Sequence, residues 1–147
     1  MKPDHDITGG CHCGNISYSY LSPLPQLELP LRRCDCSFCS KQGACYSSHP
    51  KGQLQVLIQD QAQANRYRFG SETAAAIICG RCGVYPVITA ELDGKTYAVL
   101  NANSIDGLQI DHAAIPPALH LEDFSVAEKV ERWKKMWIGQ VEIKVIP

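Results

Sequence analysis

Seven of the eight cysteines in this 147-residue chain stand in three short motifs. Cys11-His-Cys13 is followed by Gly14, and Cys79-Gly-Arg-Cys82 is followed by Gly83. Between them lies a tighter run, Cys34-Asp-Cys36-Ser-Phe-Cys39. The two pairs supply four sulfurs and the central run a separate trio. Zinc takes thiolates tetrahedrally, filling all four positions in structural sites and leaving one open in catalytic ones. The simplest partition is one closed site, from Cys11, Cys13, Cys79 and Cys82, and one open site, from Cys34, Cys36 and Cys39.

Each pair followed by glycine reads as a metal knuckle, because the chain must reverse tightly to aim both sulfurs at one ion and glycine permits that reversal. Closing the two knuckles on one ion would staple two distant parts of the chain, so this site is expected to be a folding requirement. His12, between two ligands, is expected to point away from the ion. The trio leaves a fourth position for water or an incoming thiolate. A zinc-held thiolate stays ionised at neutral pH, unlike a free thiol with its pKa of about 8.5. Such an ion could collect a small thiol and orient it towards an aldehyde. The alternative is a second closed site with Cys45 as fourth ligand. Ser37, Ser40 and Lys41, beside the trio, either contact an anionic ligand or are solvated loop residues. Iron–sulfur ligation competes as well, though the spacing lacks the common ferredoxin runs.

A disulfide framework would need an oxidising compartment, and Met1 to Gly10 has no apolar stretch of the secretory kind. The expectation is a soluble cytoplasmic protein of one compact domain over residues 1–147. Hydrophobic residues make up 45% and charged residues 20%, an ordinary globular balance. A formal net charge of −1 carries no electrostatic footprint for nucleic acid, and Arg32-Arg33 and Lys134-Lys135 are too short to change that. The apolar run Ala74 to Cys79 is far below a membrane span.

The elements that must position these cysteines read mostly as strands. Ile16 to Tyr20 alternates, Leu54 to Ile58 and Ala64 to Phe69 follow, and a turn at Gly70-Ser71 leads to a strand from Thr73 to Ile78. Val84 to Ala90 and Lys95 to Leu100 form a hairpin about Asp93-Gly94. Residues 21–30 carry three prolines and read as a loop that packs its leucines. Near the end, Ser125-Val-Ala-Glu128 is a capping box. It opens an amphipathic helix from Val126 to Ile138, with Val126, Val130, Trp133 and Trp137 on its apolar face and Gly139 as its stop. The tryptophans are expected to anchor that helix to the core, and Val141, Ile143 and Val145 mark a half-buried last strand.

Gly10-Cys-His-Cys-Gly-Asn-Ile-Ser-Tyr18, Cys34-Asp-Cys-Ser-Phe-Cys-Ser-Lys41, Phe69-Gly-Ser-Glu-Thr-Ala74 and Cys79-Gly-Arg-Cys-Gly-Val-Tyr-Pro86 occur in one order. With Val99 to Gly107, Pro117 and His120, they resemble the successive motifs of the glutathione-dependent formaldehyde-activating enzyme family, which includes centromere protein V. The resemblance runs from about Gly9 to about Leu121; the helix and strand over 125–146 match no motif of it. It implies a mainly β fold of coiled antiparallel sheets, a β-tent, with one C-terminal amphipathic helix. It implies two Zn²⁺ per chain: structural zinc on Cys11, Cys13, Cys79 and Cys82, and a catalytic zinc on Cys34, Cys36 and Cys39 that glutathione engages. The implied reaction is that of a carbon–sulfur lyase, joining glutathione and formaldehyde as S-hydroxymethylglutathione. His120 is a proton-transfer candidate or a satisfied structural histidine. The competing reading is a non-catalytic zinc-binding interaction domain.

Overall fold

The computed structural model describes residues Met1–Pro147 and is mainly β, with two sheets and one long helix. Strands β1 (His5–Gly10), β2 (Ile16–Ser22), β4 (Gln53–Ile58) and β9 (Gln140–Val145) form the first sheet, in the order β1-β2-β4-β9. Strands β3 (Tyr46–Ser47), β5 (Ala64–Phe69), β6 (Ala74–Cys79), β7 (Val87–Leu92) and β8 (Lys95–Asn101) form the second, in the order β3-β8-β7-β6-β5. All neighbours are antiparallel except β4 and β9, which run parallel. That exception reflects the late return of the chain: β9 arrives after a long connection and joins an edge already present.

The second sheet is the middle layer of the molecule. Side chains alternate across a strand, so each strand can feed two cores. Ile77 and Cys79 of β6, Val87 of β7 and Ala98 and Leu100 of β8 join Tyr18, Tyr20, Leu54 and Val56 of the first sheet in one buried cluster. Ala74 and Ala76 of β6, Ile88 and Ala90 of β7 and Val99 of β8 face the other way. There they join Trp133 from α2 (Val126–Met136), Trp137 just after it, and Cys39 from α1 (Ser37–Gln42). The alternation therefore dedicates one face of the sheet to sheet-on-sheet packing and the other to the two helices.

Strands β1 and β3 and the helix α1 escape the sequence reading. Strand β1 precedes the first knuckle, and α1 lies inside the cysteine trio. The expected strand from Val84 begins only at Val87, because Val84 closes the second knuckle through its carbonyl. Asp93 and Gly94 both take positive φ, 54° and 76°, as the tight hairpin requires. The 21–30 segment holds a short 3-10 turn at Gln26–Glu28; Leu29 is buried as expected, but Leu27 is almost fully exposed.

The C-terminal helix starts as read: Glu128 N–H donates to Ser125 Oγ at 3.1 Å, and Ser125 N–H donates to Glu128 Oε1 at 3.0 Å. It ends earlier than expected. Trp137 is already extended, and Ile138 exchanges backbone hydrogen bonds with Ala98 of β8 at 2.9 and 3.1 Å. Pairing with the sheet, not Gly139, stops the helix. Trp133 and Trp137 are buried and stacked with centroids 4.7 Å apart, but Val126 is half exposed and does not belong to the packed face. From Ile138 the chain crosses to the first sheet as β9, so this tail straps both layers together.

Candidate functional site

The two cysteine sets lie on opposite faces of the second sheet. Cys11 and Cys79 belong to the core between the sheets, and Cys39 belongs to the core under α2. The two knuckles are built alike. Cys11 N–H donates to the Ile16 carbonyl at 2.7 Å, and Cys79 N–H to the Val84 carbonyl at 3.0 Å, each closing a loop of the same length. Gly14 and Gly83 each directly follow the second cysteine of their knuckle and take φ of +86° and +81°, a conformation that strains any residue with a Cβ. The first knuckle links β1 to β2 and the second follows β6, so the four sulfurs sit where one sheet meets the other.

All four sulfurs lie within 4.8 Å of one another. Cys11 and Cys13 Sγ are 3.7 Å apart, and Cys13 and Cys79 Sγ are 3.5 Å apart across 66 residues of sequence. A tetrahedron with metal–sulfur bonds of about 2.3 Å has edges of about 3.8 Å, so this donor set fits a single thiolate-bound ion. The same separations are far beyond the S–S bond of about 2.05 Å, and all eight cysteines are free. The disulfide framework is thereby excluded. Burial drives the Cys11 thiol up to about 11. At Cys82 burial acts in the same direction, but the backbone N–H groups of Val84 and Cys13 outweigh it and hold the thiol at about 6. His12 is exposed and lies outside the cluster, as its place between two ligands suggested.

A polar residue overlooked in the sequence holds the knuckles in register. Asn15 is buried; its Oδ1 accepts from Asp60 N–H at 2.7 Å, and its Nδ2 donates to the Asp60 carbonyl at 3.2 Å. The turn that follows Asp60 then accepts Gly80 N–H on the Gln63 carbonyl at 2.7 Å. A buried amide with a full set of partners was signalled only by its place after the first Cys-x-Cys-Gly.

The trio Cys34, Cys36 and Cys39 also brings its sulfurs within 4.8 Å of one another. Cys36 is the N-cap of α1, where its Sγ accepts from Cys39 N–H at 3.4 Å, so the first turn of the helix sets the Cys36–Cys39 pair. Cys34 is brought in by a bridge to Leu119. The Cys39 thiol donates to Cys34 and holds its pKa down to about 6, against the effect of burial, while Cys39 itself is pushed well up. Cys45 is not part of this group. Ala44 and Tyr46 face the trio's core, and Cys45, between them in extended chain, faces the core between the sheets. A four-cysteine closure through Cys45 is therefore ruled out by strand alternation.

Tyr46 adjoins the trio. Its Oη lies 3.1 Å from Cys39 Sγ and 2.9 Å from Tyr85 Oη. Burial raises both phenols, Tyr85 to about 12, so both keep their protons at neutral pH.

A cavity of about 510 Å³ opens beside the trio. Ser37 and Lys41 line it, whereas Ser40 turns away to donate to the Asp35 carbonyl. Arg32, Arg33, Lys129 and Arg132 line it too, and Glu122 is the single carboxylate there. Burial first, and then repulsion from Arg132, lowers Arg32 to about 10. Arg32 donates to Ser48 Oγ, and Arg33 Nε is buried without a partner. In the sequence alone Arg32-Arg33 is only a basic cluster too short to mark a nucleic-acid surface. Lys129, Arg132, Trp133, Met136 and Trp137 recur at helical spacing, and all line the cavity. That stripe was the readable signal, hidden because its apolar half looked like ordinary core.

His120 does not line the cavity. Its Nδ1 lies 2.9 Å from Asp35 Oδ2 and its Nε2 lies 3.3 Å from Asp123 Oδ2. A carboxylate at each nitrogen favours the imidazolium form, and the ring ties the Leu119 segment to the cysteine loop. The hydrogen bond to Asp35, then its charge and that of Asp123, raise the His120 pKa above the ordinary 6.5. A raised folded-state value means that the tie stabilises below about 6.5 and is lost as pH rises through the raised value. An NMR titration is expected to place His120 above 6.5, and Asp35→Asn to bring it back towards that value; an unshifted wild-type histidine would contradict the pairing.

Fold and site together define a two-sheet β protein with paired cysteine knuckles and a second cysteine group at the mouth of a cationic cavity. The chain belongs to the glutathione-dependent formaldehyde-activating enzyme family, whose pattern matches residues 6–122. It is 34% identical over 59 residues to a Halomonas elongata protein that carries this family's name; the alignment covers 39% of this chain and 36% of that protein. Its fold is similar to that of a Rhodobacter sphaeroides protein solved by crystallography in a structural genomics programme. The TM-score is 0.53 at 24% identity, and the match covers 76% of this chain and 99% of that one. No helix here is long and apolar enough to cross a membrane.

Proposed function

We propose that this protein is a zinc-dependent enzyme that forms or breaks the carbon–sulfur bond between a thiol and a small aldehyde, with glutathione and formaldehyde as the pair the family name indicates. The observation that carries the reading is the placement of a three-sulfur group, with no fourth cysteine, at the edge of a cavity rich in cations. Cys11, Cys13, Cys79 and Cys82 would hold a structural Zn²⁺. Cys34, Cys36 and Cys39 would hold a second one with a coordination position to spare. When bound there, zinc supplies the charge that keeps an incoming thiol ionised at neutral pH.

The chain's own residues do the rest. Arg32, Arg33, Lys41, Lys129 and Arg132 offer ammonium and guanidinium groups to the carboxylates of glutathione, which orients its sulfur towards the trio. Tyr46, held by Tyr85, donates to Cys39 and fixes that sulfur's position. In the addition the sulfur–carbon bond forms, the carbonyl π bond breaks, and the proton lost by the thiol ends on the former carbonyl oxygen, giving S-hydroxymethylglutathione. The reverse reaction is the lyase direction. Arg32 and the Arg33 Nε are desolvated, whereas Lys41, Lys129 and Arg132 are more solvated and orient the substrate more than they tighten its binding.

Calorimetric titration of glutathione into the purified, metal-containing protein tests this. Saturable binding that disappears in Cys36→Ser is expected. A protein with both metals present that binds no thiol would instead favour a zinc-stabilised interaction domain.

A further inference from the structure

Formaldehyde is the smallest aldehyde and needs almost no room beside a thiol. The cavity here is far larger than that need, at about 510 Å³, and much of its wall is aromatic or aliphatic. Phe38 stacks on Phe69 with centroids 4.3 Å apart on one side. The stacked pair Trp133 and Trp137, with Met136, forms another. These three come from α2 and the residue that ends it, beyond residues 6–122, so the family pattern does not account for this part of the wall. The same helix contributes Lys129 and Arg132, and none of the five cations lining the cavity takes part in an ion pair within the chain. Unpaired cations over an apolar wall suit a ligand that is anionic at one end and bulky and apolar at the other. The anionic end matches a glutathione-like thiol. The apolar wall has no counterpart in either glutathione or formaldehyde.

We infer that the electrophile of this enzyme is an aromatic or similarly bulky apolar aldehyde, whose adduct with an anionic thiol places its apolar part against Trp133, Met136 and Trp137. This rests on the thiol-addition reading above and replaces its small aldehyde by a bulkier one. The chemistry is unchanged: the thiol adds to the aldehyde carbon, and its proton ends on the oxygen of the resulting hemithioacetal.

Trp133 and Trp137 are the only tryptophans in the chain, so intrinsic fluorescence reports directly on this wall. The probes are glutathione, S-methylglutathione and S-benzylglutathione, titrated into the metal-containing protein with calorimetry alongside. S-benzylglutathione is expected to bind about tenfold or more tighter than the S-methyl compound, as burial of a phenyl ring predicts, and to quench tryptophan emission. Arg132→Gln should weaken both thioethers by a similar factor and leave their ratio intact, whereas Met136→Gln should narrow the ratio. Binding of glutathione with no preference for the benzyl over the methyl thioether overturns the inference and leaves the thiol reading standing. So does a benzyl preference that Met136→Gln leaves unchanged without tryptophan quenching. If none of the three binds, the thiol-addition reading falls together with it.

Discussion

Cys79→Ser is expected to abolish cooperative thermal unfolding and most of the soluble yield. Cys79 is 1% exposed, ends β6, and stands 3.5 Å from Cys13 across the junction of the two sheets. Its loss removes one corner of the four-sulfur group that joins the first hairpin to the end of β6. Structural zinc contributes on the order of 10–16 kcal/mol to small zinc folds at neutral pH, as much as the whole net stability of an ordinary domain, about 5–15 kcal/mol. A serine hydroxyl would not ionise to replace the thiolate, and it would be left among apolar side chains. Circular dichroism melting with metal analysis checks this. A soluble variant that melts as the wild type does, with the knuckle metal gone, would show that the sheets hold together without that site.

The opposite outcome is expected for Cys36→Ser. Cys36 is the N-cap of α1, and serine is among the best residues at an N-cap, so the substitution keeps the hydrogen bond that starts the helix. The variant should fold, with a melting temperature within several degrees of the wild type, retain the knuckle metal, and lose the second metal and all thiol binding. Cys45→Ser is the companion. Cys45 lies wholly in the core between the sheets, away from the trio, so this variant should keep both metals and lose only the packing of one buried sulfur. Loss of the second metal from Cys45→Ser would restore the four-cysteine site. Stoichiometric iron with visible colour in the wild type would replace zinc by an iron–sulfur reading.

The local features of this protein were determined by the sequence itself. A pair of cysteines followed by glycine has few backbone solutions, and in both knuckles the glycine after the second cysteine, Gly14 or Gly83, takes positive φ. The capping box at Ser125 and the turn at Asp93-Gly94 are likewise short-range, set by hydrogen bonds and φ preferences within a few residues. The mainly β class was legible in the strand-like segments between turn signals and in the resemblance of the cysteine motifs, and period-two alternation marked the strands Ile16–Tyr20 and 141–145.

What only the tertiary structure decided concerns faces and partners. Alternation along residues 44–46 says that Cys45 and Tyr46 point opposite ways, but not that the trio lies on the Tyr46 side; that depends on how β3 joins β8. The helix from Val126 ended at Met136 because Ile138 found Ala98 in β8, a pairing across some forty residues that no local signal announces. Asn15 and His120 acquired their roles from Asp60 and Asp35, each distant in sequence. Above all, Arg32 and Arg33 became functional candidates only when α2 folded over them. Their charge was legible from the start, but the desolvation and the missing counter-ion that give it meaning exist only in the assembled cavity, where elements far apart along the chain exclude water together.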